Sequence, residues 1–147
     1  MNAETYLRSA QLLKRRIHLK LREYSHIQDL ATRITCTLYP EPGGSGISDR
    51  VGNAAVRMAV LRREVEALEA ELTQVSLGIL NVLERLPEKE CTVLHGFFLN
   101  DLNAEEIGDA MLPHPLTARH IYRIRARALS HVQQLLDEEE KHPLKAF

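Results

Sequence analysis

The chain has 147 residues, and its 19 Lys and Arg against 20 Asp and Glu leave a formal net charge of -1. Charged residues make up 27% and apolar residues 44%, while aromatic residues reach only 5%, which excludes a disordered chain and argues against a β-sandwich. No apolar run approaches the ~20 residues of a membrane span, and no secretory signal precedes the first helix. We therefore expect a protein of the cytoplasm with no membrane partner, and the composition favours an all-α fold.

The first predicted element is a long helix from about Glu4 to Leu38. Its apolar residues alternate in steps of three and four, with Lys20 as the one break. This seam consists of Ala10, Leu13, Ile17, Lys20, Tyr24, Ile27, Ala31, Ile34 and Leu38. A spacing of 3.5 residues over several heptads is typical of coiled-coil packing.

A second long helix is predicted from about Asp49 to Leu86, with Ser48 or Asp49 as its N-cap. Its seam has the same spacing without a break. The seam consists of Val51, Ala54, Met58, Leu61, Val65, Leu68, Leu72, Val75, Ile79, Val82 and Leu86. Sustained spacing in two successive helices predicts that they pack on each other as a coiled coil.

The segment 39–50 is predicted to be a linker, because its prolines and glycines stop a helix. Its Gly-rich part lacks the preceding strand and the following lysine that a phosphate-binding loop needs. Residues 1–86 are therefore predicted to form a long antiparallel coiled-coil helical hairpin. Such a hairpin leaves a second apolar face, which favours a homo-oligomer.

Two short helices are predicted next, over about 88–100 and 104–111. Asn103 is the expected N-cap of the second, with Glu106 as its capping-box partner. The residues expected to be buried in the second helix are Ile107, Ala110 and Met111. Two prolines in the following turn prevent this helix from continuing.

A third, longer helix is predicted over 118–138, with Thr117 as its N-cap. A step of 100° per residue brings one apolar group to the buried side. These residues are Ile121, Ile124, Ala128, Val132 and Leu135. Arg119, Arg123 and Arg127 then form one line on the opposite side, here called the arginine stripe. Two short helices, a turn and a longer basic helix indicate a helix-turn-helix domain at 87–138, whose 117–136 helix enters the DNA major groove.

The charge of this last helix makes double-stranded DNA its expected partner. Residues 117–132 hold four arginines, two histidines and no acid, and arginine binds guanine or phosphate bidentately. The predicted DNA contacts are Thr117, Ala118, Arg119, His120, Tyr122, Arg123, Ala126 and Arg127. In one alternative, the arginines pair with acids of the hairpin. In a separate alternative, Tyr122 packs on the preceding helix instead of bonding a phosphate. Arg125 is expected to lie over the core.

Several motifs in residues 86–136 follow one known pattern. They are Leu86-Pro87-Glu88-Lys89-Glu90, Val93-Leu94, Glu105-Glu106-Ile107-Gly108, Thr117-Ala118-Arg119-His120-Ile121 and Ala128-Leu129. With them the segment resembles region 4 of bacterial sigma-70-type factors. The whole chain is similar to small region 4-like regulators of phages and prophages of Gram-positive bacteria, which implies control of transcription and RNA polymerase as a further partner.

The chain departs from that family in two ways. The turn at 111–117 is about three residues longer than the usual one, which puts the promoter element that the helix reads in question. Nothing in the sequence resembles region 2, with which a sigma factor melts the promoter. A complete sigma factor is therefore not expected.

The same sequence features are compatible with two other functions. The hairpin could be a protein-interaction module to which the last domain only docks, or the chain could be a small terminase-like packaging subunit. No enzyme activity, cofactor or metal is expected, because Cys36 and Cys91 lack nearby ligand partners and the histidines are scattered. Residues 139–147 are predicted to be an acidic, flexible tail that solubilises the chain or competes with DNA for the arginine stripe.

Overall fold

A computed structural model describes residues 1–36 and 45–142, and the regular structure of this part of the chain is entirely helical. The predicted all-α class is confirmed. The helices are α1 (Ala3–Cys36), α2 (Ser45–Leu83), α3 (Glu88–Leu94), α4 (Ala104–Ala110) and α5 (Ala118–Lys141), and a π-helical turn (His95–Leu99) continues α3. None of the described helices combines the length and apolarity that a membrane span requires.

The second long helix differs from its prediction at both ends. α2 begins at Ser45, so the predicted N-cap positions lie inside the helix. Serine and glycine weaken a helix by only about 1 kcal/mol per residue, and a few of them do not forbid its first turn. α2 ends at Leu83, three residues early, since a residue that precedes proline avoids the helical conformation and Pro87 follows closely. The rest of the predicted linker, 39–44, lies outside the described residues, as do Thr37 and Leu38.

The chain divides into two compact units that differ from the predicted division at residue 86. Unit 1 comprises Met1–Leu12 and Thr73–Phe147, and unit 2 comprises Leu13–Leu72. Each long helix therefore contributes to both units. In unit 1, the main-chain N–H of Ala3 donates to the side chain of Gln133 at 2.8 Å, which ties the start of α1 to α5.

Unit 2 consists of one segment from each long helix. The Lys20 ammonium donates to Glu64 at 2.6 Å, and the Arg57 guanidinium donates to Glu23 at 2.6 Å. The bond from Lys20 lowers the pKa of the Glu64 carboxyl, and it explains how a lysine fits into the seam of α1. The described seam residues of unit 2 are all buried or half-buried.

One hydrophobic core cluster of unit 1 lies where α3, α4 and α5 meet. It contains Val93, Ala104, Ile107, Met111, Ile121 and Ile124, with Phe97, Leu102, Leu116 and Ala118 packed against it. The prediction that Ala110 is buried was wrong, since its side chain is exposed. The buried residues of α4 are Ala104, Ile107 and Gly108, and Ala110 points about a third of a turn away from their mean direction.

The predicted N-cap of α4 is confirmed and supports a stability prediction. The side-chain oxygen of Asn103 accepts a hydrogen bond from the N–H of Glu106 at 2.8 Å. We expect Asn103→Ala to lower the free energy of unfolding by about 1 kcal/mol, because this N–H loses its partner. Urea unfolding followed by circular dichroism measures the change.

The matched control is Asn53→Ala, at an exposed position inside α2. Alanine is a better helix former than asparagine, so this variant should be as stable as the wild type or slightly more stable. An equal loss in both variants would contradict the capping role of Asn103.

Candidate nucleic-acid interface

The apolar side of α5 fixes which of its residues face outward. Its buried residues are Ile121, Ile124, Ala128, Val132 and Leu136. The first four are those predicted, whereas Leu135 is only half-buried and Leu136 takes its place. The buried line thus continues from Val132 by a step of four residues, one full turn of helix.

The N-terminus of α5 is held by its cap and by the turn before it. Thr117 Oγ1 accepts a hydrogen bond from the N–H of His120 at 3.3 Å, as predicted. The carbonyl oxygen of Gly108 accepts a hydrogen bond from the N–H of Leu116 at 2.9 Å, so the long turn closes back onto α4. A Cβ atom on Gly108 would overlap the Leu116 carbonyl oxygen, and only glycine fits there. The longer turn therefore has a defined anchor.

The arginine stripe lies on the exposed side of α5. Its members Arg119, Arg123 and Arg127 are exposed, and so is Ala126 between them. In the described part of the chain, none of the three arginines forms a hydrogen bond or an ion pair. The alternative in which acids of the hairpin neutralise them is thus not found among these residues. Three unneutralised cations on one helix face create a local positive field.

The other predicted contacts flank the stripe to different degrees. Thr117 and His120 are exposed, whereas Ala118 is half-buried against the core of unit 1. The Tyr122 side chain is 53% exposed, and its ring centroid lies 5.9 Å from that of Phe97. One edge of Tyr122 therefore packs on the π-helical turn while the rest of the residue stays accessible.

Arg125 differs from the arginines of the stripe. Its guanidinium carbon lies 4.9 Å from the ring centroid of Phe97 and 5.5 Å from that of Phe98. It also pairs with Glu4 at 3.2 Å, and its side chain is only 22% exposed. These contacts agree with the prediction that Arg125 lies over the core, and they give it a structural role.

A buried carboxylate accounts for one of the two histidines within residues 117–132. Glu90 is 6% exposed, and it is the one buried charged side chain in the described part of the chain. Its Oε2 atom lies 2.6 Å from Nδ1 of His131. His131 therefore contacts α3 and does not belong to the exposed arginine face.

We expect His131→Ala to lower the free energy of unfolding by about 1–3 kcal/mol, because the Glu90 carboxylate would remain buried without its partner. Thermal or urea unfolding measures the loss. In the double variant Glu90→Ala/His131→Ala, the loss should fall below the sum of the two single losses. His120→Ala, at an exposed position of the same helix, is the control with no expected loss. If both histidine variants lost equal stability, the role assigned to this pair would be wrong.

The prediction that the acidic end of the chain is a flexible tail was wrong for its first three residues. Residues 139–141, predicted as the start of a flexible tail, form the last part of α5. Glu139 pairs with Arg85 at 3.1 Å within unit 1, so this acid is engaged away from the arginine stripe. Residues 143–147 lie outside the described residues.

Another kind of site near α5 would need metal ligands or a reactive thiol. No group of three or more His, Cys, Asp or Glu that could hold a metal ion occurs among the described residues. Burial and the nearby Glu84 raise the pKa of the Cys91 thiol, which disfavours a reactive thiolate. Compared with family models, curated proteins and solved structures, the chain matches none. The exposed face of α5 is therefore the candidate site.

Proposed function

We propose that the protein is a sequence-specific, double-stranded-DNA-binding regulator of transcription whose α5 helix enters the major groove. The observation that carries the proposal is the exposed arginine stripe without a partner among the described residues. Like charges at successive turns weaken a helix slightly. A polyanion that neutralises them supplies a physical reason for this arrangement.

The dimensions of the stripe suit a DNA groove. Arg119 and Arg127 are eight residues apart, which corresponds to ~12 Å along a helix axis. The major groove is about 12 Å wide, which admits an α-helix because the diameter of a helix with its side chains is about 10–12 Å. Arginines spread over this length reach several successive base pairs, either at guanine edges or at the flanking phosphates.

The near-neutral net charge of the chain is compatible with this role. The field of exposed charges decays within about 10 Å at moderate salt. The first acidic residue of α5, Asp137, is ten residues beyond Arg127, or ~15 Å along the axis. The positive end of α5 therefore acts on a ligand largely independently of the acidic end.

The flanking residues have supporting roles in this proposal. Thr117 and His120 are at the N-terminus of α5, where the helix dipole favours a phosphate. The accessible edge of Tyr122 carries a hydroxyl that suits a second phosphate contact. Such contacts orient the helix, and the arginines select the sequence. The function is binding rather than catalysis.

The architecture that we propose is an antiparallel coiled-coil hairpin followed by a region 4-like helix-turn-helix, with α4 bracing α5. The pairing of Lys20 with Glu64 and of Glu23 with Arg57 supports the antiparallel direction. The region 4-like motifs support a phage-type regulator that works in the cytoplasm of a bacterial host and contacts RNA polymerase.

The first experiment is binding of the purified full-length protein to fragments of its neighbouring genome across a salt series, with random DNA as competitor. We expect tight binding to one upstream fragment that resists the competitor. The logarithm of its affinity should fall linearly with the logarithm of the salt concentration. Binding no tighter than to random DNA, or none, would refute the proposal and favour the hairpin as a protein-interaction module.

A further inference from the structure

Unit 2 has an apolar face that its own two helices leave uncovered. In α1, Leu19 is 64% and Leu30 43% exposed, and in α2, Val56 is 65% and Val60 37% exposed. Leu19 and Leu30 are eleven residues apart, close to three turns, so they lie on the same side of α1. Val56 and Val60 are one turn apart on α2. The two valines form a short apolar row, whereas Glu23 and His26 lie between the two leucines on α1.

A groove lies between the two helices beside Leu19, on one side of unit 2. It has a volume of about 660 Å³, and Leu19 of α1 and Ala67 of α2 both line it. Val60 precedes Ala67 by one heptad and Val56 precedes it by eleven residues, so both share the side of α2 that faces the groove. We call this surface, with Leu19, Leu30, Val56, Val60 and Ala67, the groove face.

The two helices bring opposite charges to this face. Residues 14–22 of α1 hold five cations and no acid, whereas residues 64–72 of α2 hold four glutamates and no cation. The Lys20–Glu64 pair places the two segments side by side. Arg16 lines the groove, and Glu71 follows the groove residue Glu64 by one heptad. Further along the groove the signs reverse, because Glu23 of α1 lines the groove and pairs with Arg57 of α2. The two helices therefore carry opposite charges at matching levels of this face.

We infer that the groove face binds a second copy of this chain, and that unit 2 of the two copies forms a four-helix bundle around a two-fold axis parallel to the helices. That axis places α1 of one copy on α2 of the other, so charges of opposite sign meet at each level. A bundle of this kind also covers the exposed leucines and valines of both copies.

The register within one copy specifies the contacts. Counting from the Lys20–Glu64 pair in opposite directions along the two helices brings Leu19 close to the level of Ala67 and Leu30 close to that of Val56. In the dimer, Leu19 then packs on Ala67 of the second copy and Leu30 on Val56 of the second copy. Arg16 faces Glu71 of the second copy, and the symmetry repeats each contact. The face thus has its complement on an identical chain.

This inference stands on unit 2 and does not depend on DNA binding by α5. A dimer would carry two copies of α5, which raises the avidity for paired DNA sites. Its test measures molecular mass without DNA. A failed dimer test therefore leaves the proposed function standing, and a failed DNA test leaves the dimer standing.

The first test is the mass of the full-length protein by sedimentation equilibrium over a range of concentrations. We expect twice the chain mass at micromolar concentration for the wild type and the mass of one chain for Leu19→Glu. Leu21→Glu is the matched control, because Leu21 is 46% exposed and two residues further along α1, on a different side of the helix. Circular dichroism checks that both variants keep their helices.

The second test is a charge exchange at the pair that joins the two copies. Arg16→Glu and Glu71→Arg should each weaken the dimer about tenfold, because two attractive contacts become repulsive. An equimolar mixture of the two variants should recover dimers of wild-type strength. In the mixed dimer, one site keeps the native pair and the other joins the two introduced charges of opposite sign.

Three results would overturn the inference. They are a wild-type chain that is monomeric at tens of micromolar, equal behaviour of Leu19→Glu and Leu21→Glu, and a mixture that associates no better than its two components. The last result distinguishes packing of α1 on α2 of the second copy from packing of α1 on α1, because only the first arrangement lets the two charge variants complement each other.

Discussion

The double variant Arg119→Ala/Arg123→Ala is expected to lose specific DNA binding while it keeps the fold of the wild type. Both side chains are exposed and form no ion pair with a described residue, so their removal costs the folded chain little. An arginine that reads a guanine contributes about 1–3 kcal/mol to discrimination, and two such losses bring a specific site close to random DNA. Fluorescence anisotropy with the specific fragment measures the effect.

The single variant Arg123→Ala separates the two possible roles of this side chain. A loss of about 1–3 kcal/mol confined to the specific fragment indicates a base contact. An equal loss on all sequences, with a salt slope smaller by about one, indicates a phosphate contact.

The matched control for these variants is Arg22→Ala/Arg63→Ala, which removes the same charge from exposed positions of unit 2. Its DNA affinity should stay close to that of the wild type, since these arginines are not on α5. Unchanged binding by the Arg119/Arg123 double variant would refute the assignment of α5 as the DNA-reading helix.

The second large effect is expected from Gly108→Ala, which should lower the free energy of unfolding by about 3 kcal/mol. The added methyl group would overlap the carbonyl oxygen of Leu116. This oxygen belongs to the main chain, so it cannot rotate away as the end of a side chain does. The turn must shift, which strains the 2.9 Å hydrogen bond between Leu116 and the Gly108 carbonyl. Urea unfolding measures the loss.

Gly52→Ala is the control for this substitution. A Cβ atom at Gly52 has nothing within 4 Å, and the residue is inside α2. Alanine is favoured over glycine in a helix by about 1 kcal/mol, so this variant should gain stability. Because the turn at Gly108 leads into α5, Gly108→Ala should also weaken DNA binding. Wild-type stability of Gly108→Ala would show that the turn is not anchored at this glycine.

Much of the fold was predictable because its signals are local. The caps at Asn103 and Thr117 were predicted from a polar residue that precedes a helical pattern, and both accept the expected hydrogen bond. The core side of α5 followed from the spacing of Ile121, Ile124 and Ala128. Such features depend on residues within one or two turns of each other.

The errors occurred at the ends of helices, where the local composition and the helical packing favour different structures. The start of α2 was predicted four residues late, because the Gly and Ser residues there were interpreted as a stop. The last turns of α5 were predicted as a tail because of their acidic composition. Helical packing continues through them, and Arg85 pairs with Glu139. The partner is 54 residues away in sequence, a separation that no local pattern detects.

The helical class, the helix caps and the position of Arg119, Arg123 and Arg127 on one side of α5 could be predicted from residue order, because caps and helical periodicity are local. Which charged groups of that helix remain accessible depends on contacts with other helices. Arg125 is covered by two phenylalanine rings and Glu4, and His131 is held by Glu90. These partners come from other helices, and the fold alone brings their side chains within reach. The tertiary structure thus leaves the arginine stripe as the accessible cationic surface of α5 among the described residues.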